Sequence, residues 1–144
     1  MPNRILVALD NSSYADKVAN YALDVAAKMG GTLFGIGVVE DSYIRELDEN
    51  DPRSVLEYEY WKTSFQDTLN KCHDLAEARQ QYFKIYTTQG NAAEEILKFA
   101  EKEGIDLIIL GNLGRGAAAG AGFPIGSVAQ KVAAFSKCPV LIVK

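Results

Sequence analysis

A chain of 144 residues is long enough for one domain with a proper core. Hydrophobic residues make up 48% and charged residues 24%, which excludes a disordered tail. The net charge is -4 and no basic run occurs, so nucleic acid, whose affinity rests on Lys and Arg against phosphates, is not an expected partner.

The apolar segments arrive in a regular order. Ile5 to Leu9 is a short continuous run ending in Asp10, as in a strand buried on both faces. Ser12 and Ser13 offer N-caps for a helix whose apolar stripe is Ala15, Val18, Ala19, Ala22, Ala26 and Met29, stopped by Gly30 and Gly31. Leu33 to Val39 predicts a second strand. Gly35 and Gly37 leave space on one of its faces, for which a closely packed helix is the plain explanation. Asp41 to Pro52 reads as an acidic loop. From Ser54 to Gln81 the pattern is helical, with Tyr58, Trp61, Phe65, Leu69, Cys72, Leu75 and Ala76 on one stripe.

Tyr82 to Thr88 alternates like an edge strand with one wetter face. Asn91 caps a helix through Lys102, with Glu94 at the capping-box position and Gly104 as the stop. Leu107 to Leu110 predicts a fourth buried strand, followed by a Gly/Ala-rich loop from Gly111 to Ile125. Ser127 to Phe135 is the last helix and Val140 to Val143 the last strand. Strands alternating with helices imply an α/β fold: a parallel sheet with helices on both faces, a three-layer sandwich forming one domain over residues 1–144.

Several chemistries drop out. Cys72 and Cys138 match no zinc or redox spacing and are expected to pack as small apolar groups in a reducing compartment. His73 is the single histidine, which excludes a His-rich metal site; it lies in a helical stretch with no nucleophile motif for a catalytic triad. The opening residues do not read as a signal peptide, and the first apolar run is too short for a membrane span. A cytoplasmic protein with no membrane partner is the expectation.

In open α/β sheets ligands bind at the carboxyl ends of the strands, where strand order switches. Two loops qualify. Asp10-Asn11-Ser12-Ser13 is neither a dinucleotide fingerprint nor a Walker A loop. The run Gly111-Asn112-Leu113-Gly114-Arg115-Gly116, leading to Gly126-Ser127-Val128, combines glycines that let main-chain amides approach an anion with a helix start that favours phosphate. Arg115 could clamp that anion, and Asp10 could hold a ribose hydroxyl or a divalent metal between phosphates. Plainer readings stand beside these: Ser127 with Gln130 as a capping box, Gly111 and Gly114 as turn glycines, Asp10 as an N-cap, Arg115 as a solvated charge.

These motifs together resemble the universal stress protein family over essentially the whole chain. ILVALDNSS (Ile5 to Ser13) is similar to the family's ILVAVDGS, Gly90 to Ile96 to its GDPAEEI, and Gly126-Ser127-Val128 through Cys138-Pro139-Val140-Leu141-Ile142-Val143 to its GSV…CPVLVV ending; Val38-Val39-Glu40 matches the end of strand two. The resemblance implies a five-stranded parallel sheet in order 3-2-1-4-5 and a homodimer, paired through the apolar edge strand Val140 to Val143. Its ATP-binding branch carries G-x2-G-x9-G-[S/T]. That similarity implies that Gly111, Gly114, Gly126, Ser127 and Val128 contact ribose and phosphates, that Ala8 and Val39 flank the adenine, and that Asp10 faces the ribose or a phosphate-bound Mg or Mn. Leu9, Val38, Leu110, Arg115 and Gly116 complete the candidate site. Eleven residues rather than nine separate Gly114 from Gly126, and Asn11 stands where glycine is common. Lengthening a surface loop by two costs less than the roughly 0.6 kcal/mol of a doubling.

The expected function is therefore an adenine-nucleotide (ATP) binding regulatory protein of the stress response. AMP or a cyclic dinucleotide is equally compatible with the motif. The alternative is a nucleotide-free, dimeric interaction protein that works through the aromatic helix 54–81. A slow ATPase or self-phosphorylating protein ranks below both, because Asp10 is the only general-base candidate beside the glycine loop.

Overall fold

A computed structural model of the chain describes residues 3–10, 12–41, 50–112 and 125–144. The central strand is β1 (Arg4–Ala8). It pairs in parallel with β2 (Thr32–Glu40) on one side and with β4 (Leu107–Gly111) on the other. Outside these lie β3 (Phe83–Gly90) and β5 (Val140–Val143), so the five-stranded sheet runs β3-β2-β1-β4-β5, all parallel. The order expected from the resemblance is the order found.

The alternation of β1 assigns its side chains to two layers. Ile5, Val7 and Leu9 pack in one core with Val18, Ala19, Ala22, Leu23 and Ala26 of α1 (Ala15–Met29) and Leu69, Cys72 and Ala76 of α2 (Pro52–Ala78). Leu6 and Ala8 face the other core, with Ala93, Ile96 and Ala100 of α3 (Ala92–Lys102) and Ala129 and Val132 of α4 (Ser127–Phe135). Small residues along α1 let its axis approach the sheet, and Gly30, at φ 68°, ends it in a left-handed turn with its N–H on the Ala26 carbonyl. Neither Ser12 nor Ser13 caps α1. The helix starts later, behind Tyr14, and Ser12 instead closes the preceding turn by accepting the Tyr14 N–H on its hydroxyl and the Ala15 N–H on its carbonyl. Met29 is only partly buried; Leu23, absent from the expected stripe, is in the core.

The two glycines of β2 make room for α2 and the edge strand. A Cβ at Gly35 would overlap the Phe83 ring and stand 3.2 Å from Leu69; one at Gly37 would stand 2.9 Å from Phe65. Complete burial of Phe65 and Leu69 contributes about 1.5–3 kcal/mol each. The start of α2 corrects the expected loop boundary: Asp51 is the N-cap, accepting from the Arg53 N–H, and Pro52 is already helical. At 27 residues the helix is about 40 Å long, more than the sheet needs, and its apolar core residues begin at Phe65. Tyr58 and Trp61 are therefore only half-buried, and Leu75, expected on the stripe, is exposed.

β3 begins one residue later than its alternation suggests and runs on to Gly90. Gln80 takes a positive φ of 56° ahead of it, and Tyr82 lies exposed just before the strand. Tyr86 packs on Phe99 of α3 with ring centroids 4.9 Å apart. Cys72 is buried, whereas Cys138 is half-buried beside the Ser136 hydroxyl. Among the described residues no helix is long and apolar enough to cross a membrane.

Candidate functional site

Parallel register brings the two candidate loops together. Ala8 stands opposite Leu110, so Asp10 and Asn112, each two residues on, leave adjacent strands at the carboxyl edge of the sheet. This is the switch point, because β1 is followed outward by β2 on one side and β4 on the other. Leu9 extends the pairing by donating its N–H to the Ile36 carbonyl at 3.0 Å, which sets Asp10 level with Val38.

Asp10 is half-buried, and its Oδ1 accepts the Ser12 N–H at 2.9 Å. That bond makes it an Asx turn over the β1–α1 connection rather than a helix cap. On the other strand, Asn112 donates its N–H to the Val143 carbonyl at 2.8 Å and accepts the Gly126 N–H on its own carbonyl at 2.7 Å. The chain that leaves after Asn112 thus returns to the same residue. Whatever its length, the segment between them closes on a fixed hydrogen bond, and the two halves of the glycine pattern meet at Asn112. Gly114, Arg115 and Gly116 lie outside the described residues.

Gly126 is the N-cap of α4 and carries no side-chain cap; Ser127 is the first helical residue, so the expected Ser127–Gln130 capping box is not formed. Gln130 bonds the Ile125 carbonyl through its Nε2 at 3.2 Å instead, while its main-chain N–H takes the Gly126 carbonyl. Among the described residues, the amides of Ser127, Val128 and Ala129 have no acceptor, and the first turn of α4 holds no acidic residue. Such a terminus presents unpaired N–H groups and the positive end of the helix dipole together.

The apolar candidates divide between the layers. Ala8, Val38, Leu110 and Val128 belong to one cluster on the α3/α4 side, joined by Ile125 and Ile142. Leu9 belongs to the core under α1 and α2, and Val39, by strand alternation, points the same way as Gly35 and Gly37. Both are buried, at 4% and 1% exposure, so they offer a ligand at the sheet edge main chain rather than side chain. Asn112 and Ile125 were not singled out as site residues. The Gly-Asn-Leu-Gly-Arg-Gly run pointed to the region, but a carbonyl acting as a hinge leaves no side-chain signature.

Neighbouring polar groups are already engaged. Glu40 accepts the Ala92 N–H at 3.2 Å, and Gln89 donates to Asp41 at 2.9 Å. A hollow of about 80 Å³, lined by Tyr14, Lys17, Val18, Asn112, Val143 and Lys144, opens on the α1 side of Asn112. It is several times smaller than ligand pockets of roughly 300–1,000 Å³ and lies on the other layer from Val128. Cys72 offers no nucleophile: burial pushes its thiol up to about 11, with Asp16 adding to the effect and Lys71 opposing it.

Comparison with known proteins agrees with this architecture. Residues 1–144 match the Universal stress protein family. A universal stress protein of Methanocaldococcus jannaschii is 32% identical over 146 residues, covering 98% of this chain and 81% of its own. Among solved structures, the universal stress protein UspA of Lactobacillus plantarum superimposes with a TM-score of 0.79 at 21% identity, covering 99% of this chain and 97% of its own. Two further structures of this fold are complexes. One is a universal stress protein with cAMP (TM-score 0.72, 22% identity, 99% and 96% covered), the other the Archaeoglobus fulgidus protein with dAMP (0.68, 17%, 99% and 98%). The chain belongs to the universal stress protein family.

Proposed function

We propose that this chain binds an adenine nucleotide, ATP foremost, at the carboxyl edge of β1 and β4, and that the loaded form is a regulatory state. The observation that carries the reading is the uncapped start of α4, with the amides of Ser127, Val128 and Ala129 held on Asn112 at the end of β4, the strand next to the one that leads into Asp10. Phosphate oxygens would take these amides, in the manner common at helix N-termini. The adenine would rest on the apolar side chains of Ala8, Val38, Leu110 and Val128, with the main chain at Leu9 and Val39 beside it. Gly111, Gly114, Arg115, Gly116 and Gly126 line the phosphate side of this proposal. The Asp10 carboxylate suits a ribose hydroxyl, or a Mg or Mn ion carried in with the phosphates, since its oxygens are hard ligands. Support comes from the cAMP and dAMP complexes of two relatives in fold. Turnover of the nucleotide is no part of the proposal.

Isothermal titration with ATP, AMP and cAMP, together with mass spectrometry of ligand released from freshly purified protein, tests it. Saturable binding of at least one adenine nucleotide is expected; none up to millimolar concentration would overturn the proposal. We further propose a homodimer paired through β5, which is an edge strand whose Val140, Leu141 and Ile142 are only partly covered. A monomer by sedimentation at micromolar concentration would contradict that.

One observation favours a second reading, a nucleotide-free interaction protein. The first half of α2 exposes Val55 at 51%, Leu56 at 69% and Tyr60 at 65%. Association that survives removal of all nucleotide and is lost in Leu56→Ala would support it over the first.

A further inference from the structure

The second half of α2 carries a cluster with no place in the nucleotide proposal. His73, Asp74 and Glu77 project ligand atoms that all lie within 4.8 Å of one another, half-buried for the histidine and exposed for the two acids. The spacing explains the grouping. His73 and Glu77 are four apart and Asp74 and Glu77 three apart, so successive turns of the helix stack them on one flank.

Some helix carboxylates have cationic partners: Asp24 with Arg79 at 2.7 Å, Glu101 with Lys137 at 3.0 Å, Glu94 with Lys131 at 3.4 Å. Among the described residues, Asp74 and Glu77 pair with no Lys or Arg; Asp74 has only the His73 Nδ1, at 3.9 Å. Two neighbouring acids on one helix repel each other unless a cation lies between them.

We infer that His73, Asp74 and Glu77 form a three-ligand site on α2 for a borderline divalent metal of the zinc class. One imidazole nitrogen with two carboxylates suits such an ion better than Mg, which prefers an all-oxygen shell. Ligands at about 2.0–2.2 Å from a tetrahedral zinc lie roughly 3.4 Å apart, so the side chains must close by about an ångström from their present spacing. Exposed side chains do this by rotamer change, without moving the helix. Water completes the shell, which makes the site open and of modest affinity. The metal would staple one turn of α2 against fraying.

The single histidine makes the test direct, because its ring signals in an NMR spectrum are unique. Tag-free, nucleotide-free full chain is titrated with Zn²⁺ and, separately, Mg²⁺. Zn²⁺ is expected to displace the His73 ring signals saturably and Mg²⁺ to leave them in place. Asp74→Asn and Glu77→Gln should each weaken the Zn²⁺ midpoint at least about fivefold, with helix content by circular dichroism unchanged. Asp10→Ala should not move it, which separates this site from the nucleotide edge. Ring signals indifferent to Zn²⁺, or a midpoint equal in wild type and both carboxamide variants, would overturn the inference. A midpoint that moved with Asp10→Ala would also overturn it, since the ion would then be bound elsewhere.

Discussion

The helices α3 and α4 both begin at the carboxyl edge of the sheet, each after a parallel strand, and they are finished in opposite ways. At α3 the protein closes its own amides. Asn91 accepts the Glu94 N–H at 3.1 Å, Glu40 reaches across from β2 to the Ala92 N–H, and Glu94 and Glu95 put negative charge in the first turn. At α4 a glycine stands at the cap, the first turn has no acid, and the amides of Ser127, Val128 and Ala129 find no acceptor among the described residues. A side-chain cap is worth about 1 kcal/mol. Leaving one end without it, while the neighbouring end of the same sheet has it, fits a terminus reserved for an anion from outside.

The largest expected effect comes from making α4 resemble α3. Ser127→Asp puts a carboxylate where the phosphates are proposed to sit. Nucleotide affinity should fall at least about a hundredfold by calorimetry, because like charges meet at unpaired amides. The fold should not suffer: an acid in the first turn favours the helix by about 0.3–1 kcal/mol. Binding and stability would thus move in opposite directions, which a merely disruptive substitution cannot imitate. Unchanged affinity would remove α4 from the site.

The converse change is smaller. Asn91→Ala opens α3 and should cost about 1 kcal/mol in urea unfolding, the usual loss for a cap. Affinity for nucleotide should stay within about twofold, since no phosphate is assigned to that terminus. A large loss of binding would mean that the two helix starts act together and that the contrast between them is misread.

Much of this contrast was legible in the sequence, and its limits are physical. Asn91 announced the α3 cap because a capping side chain of that type reaches the main-chain N–H three residues on, here that of Glu94, and Gly126 announced the bare end of α4. The five strands were legible because runs such as Ile5 to Leu9 and Leu107 to Leu110 are buried on both faces, although the order 3-2-1-4-5 came from the family resemblance and not from periodicity. What sequence did not reveal depends on long-range geometry. The assignment of Leu9 and Val39 to the α1/α2 layer follows from register, not from their apolar character. Leu75 fits the α2 stripe by spacing yet is exposed, because burial there is set by where the sheet lies under the helix. The Asn112 carbonyl that joins the two halves of the glycine pattern is main chain, which every residue possesses.

The smallest effect tests whether a carboxylate oxygen can do for bare amides what an anion is proposed to do at α4. At the opposite edge of the sheet, Asp106 Oδ2 accepts two successive main-chain N–H groups, from Arg4 at 2.9 Å and Asn3 at 3.0 Å. These amides, Arg4 first, hold the Asp106 carboxyl below its ordinary value of 3.8, against a weaker opposing effect of desolvation. A group whose folded value is depressed stabilises the fold above its unfolded value and loses that contribution as pH falls through the folded one. The stability gap between wild type and Asp106→Asn should therefore be constant from pH 7 down to about 5, narrow below about 4, and close in stronger acid. Urea unfolding at pH 7, 5 and 3 measures it. A gap as wide at pH 3 as at pH 7 would mean that shape, not charge, holds Asp106 on these amides, and the electrostatic argument for an anion on the α4 amides would lose its counterpart within the same molecule.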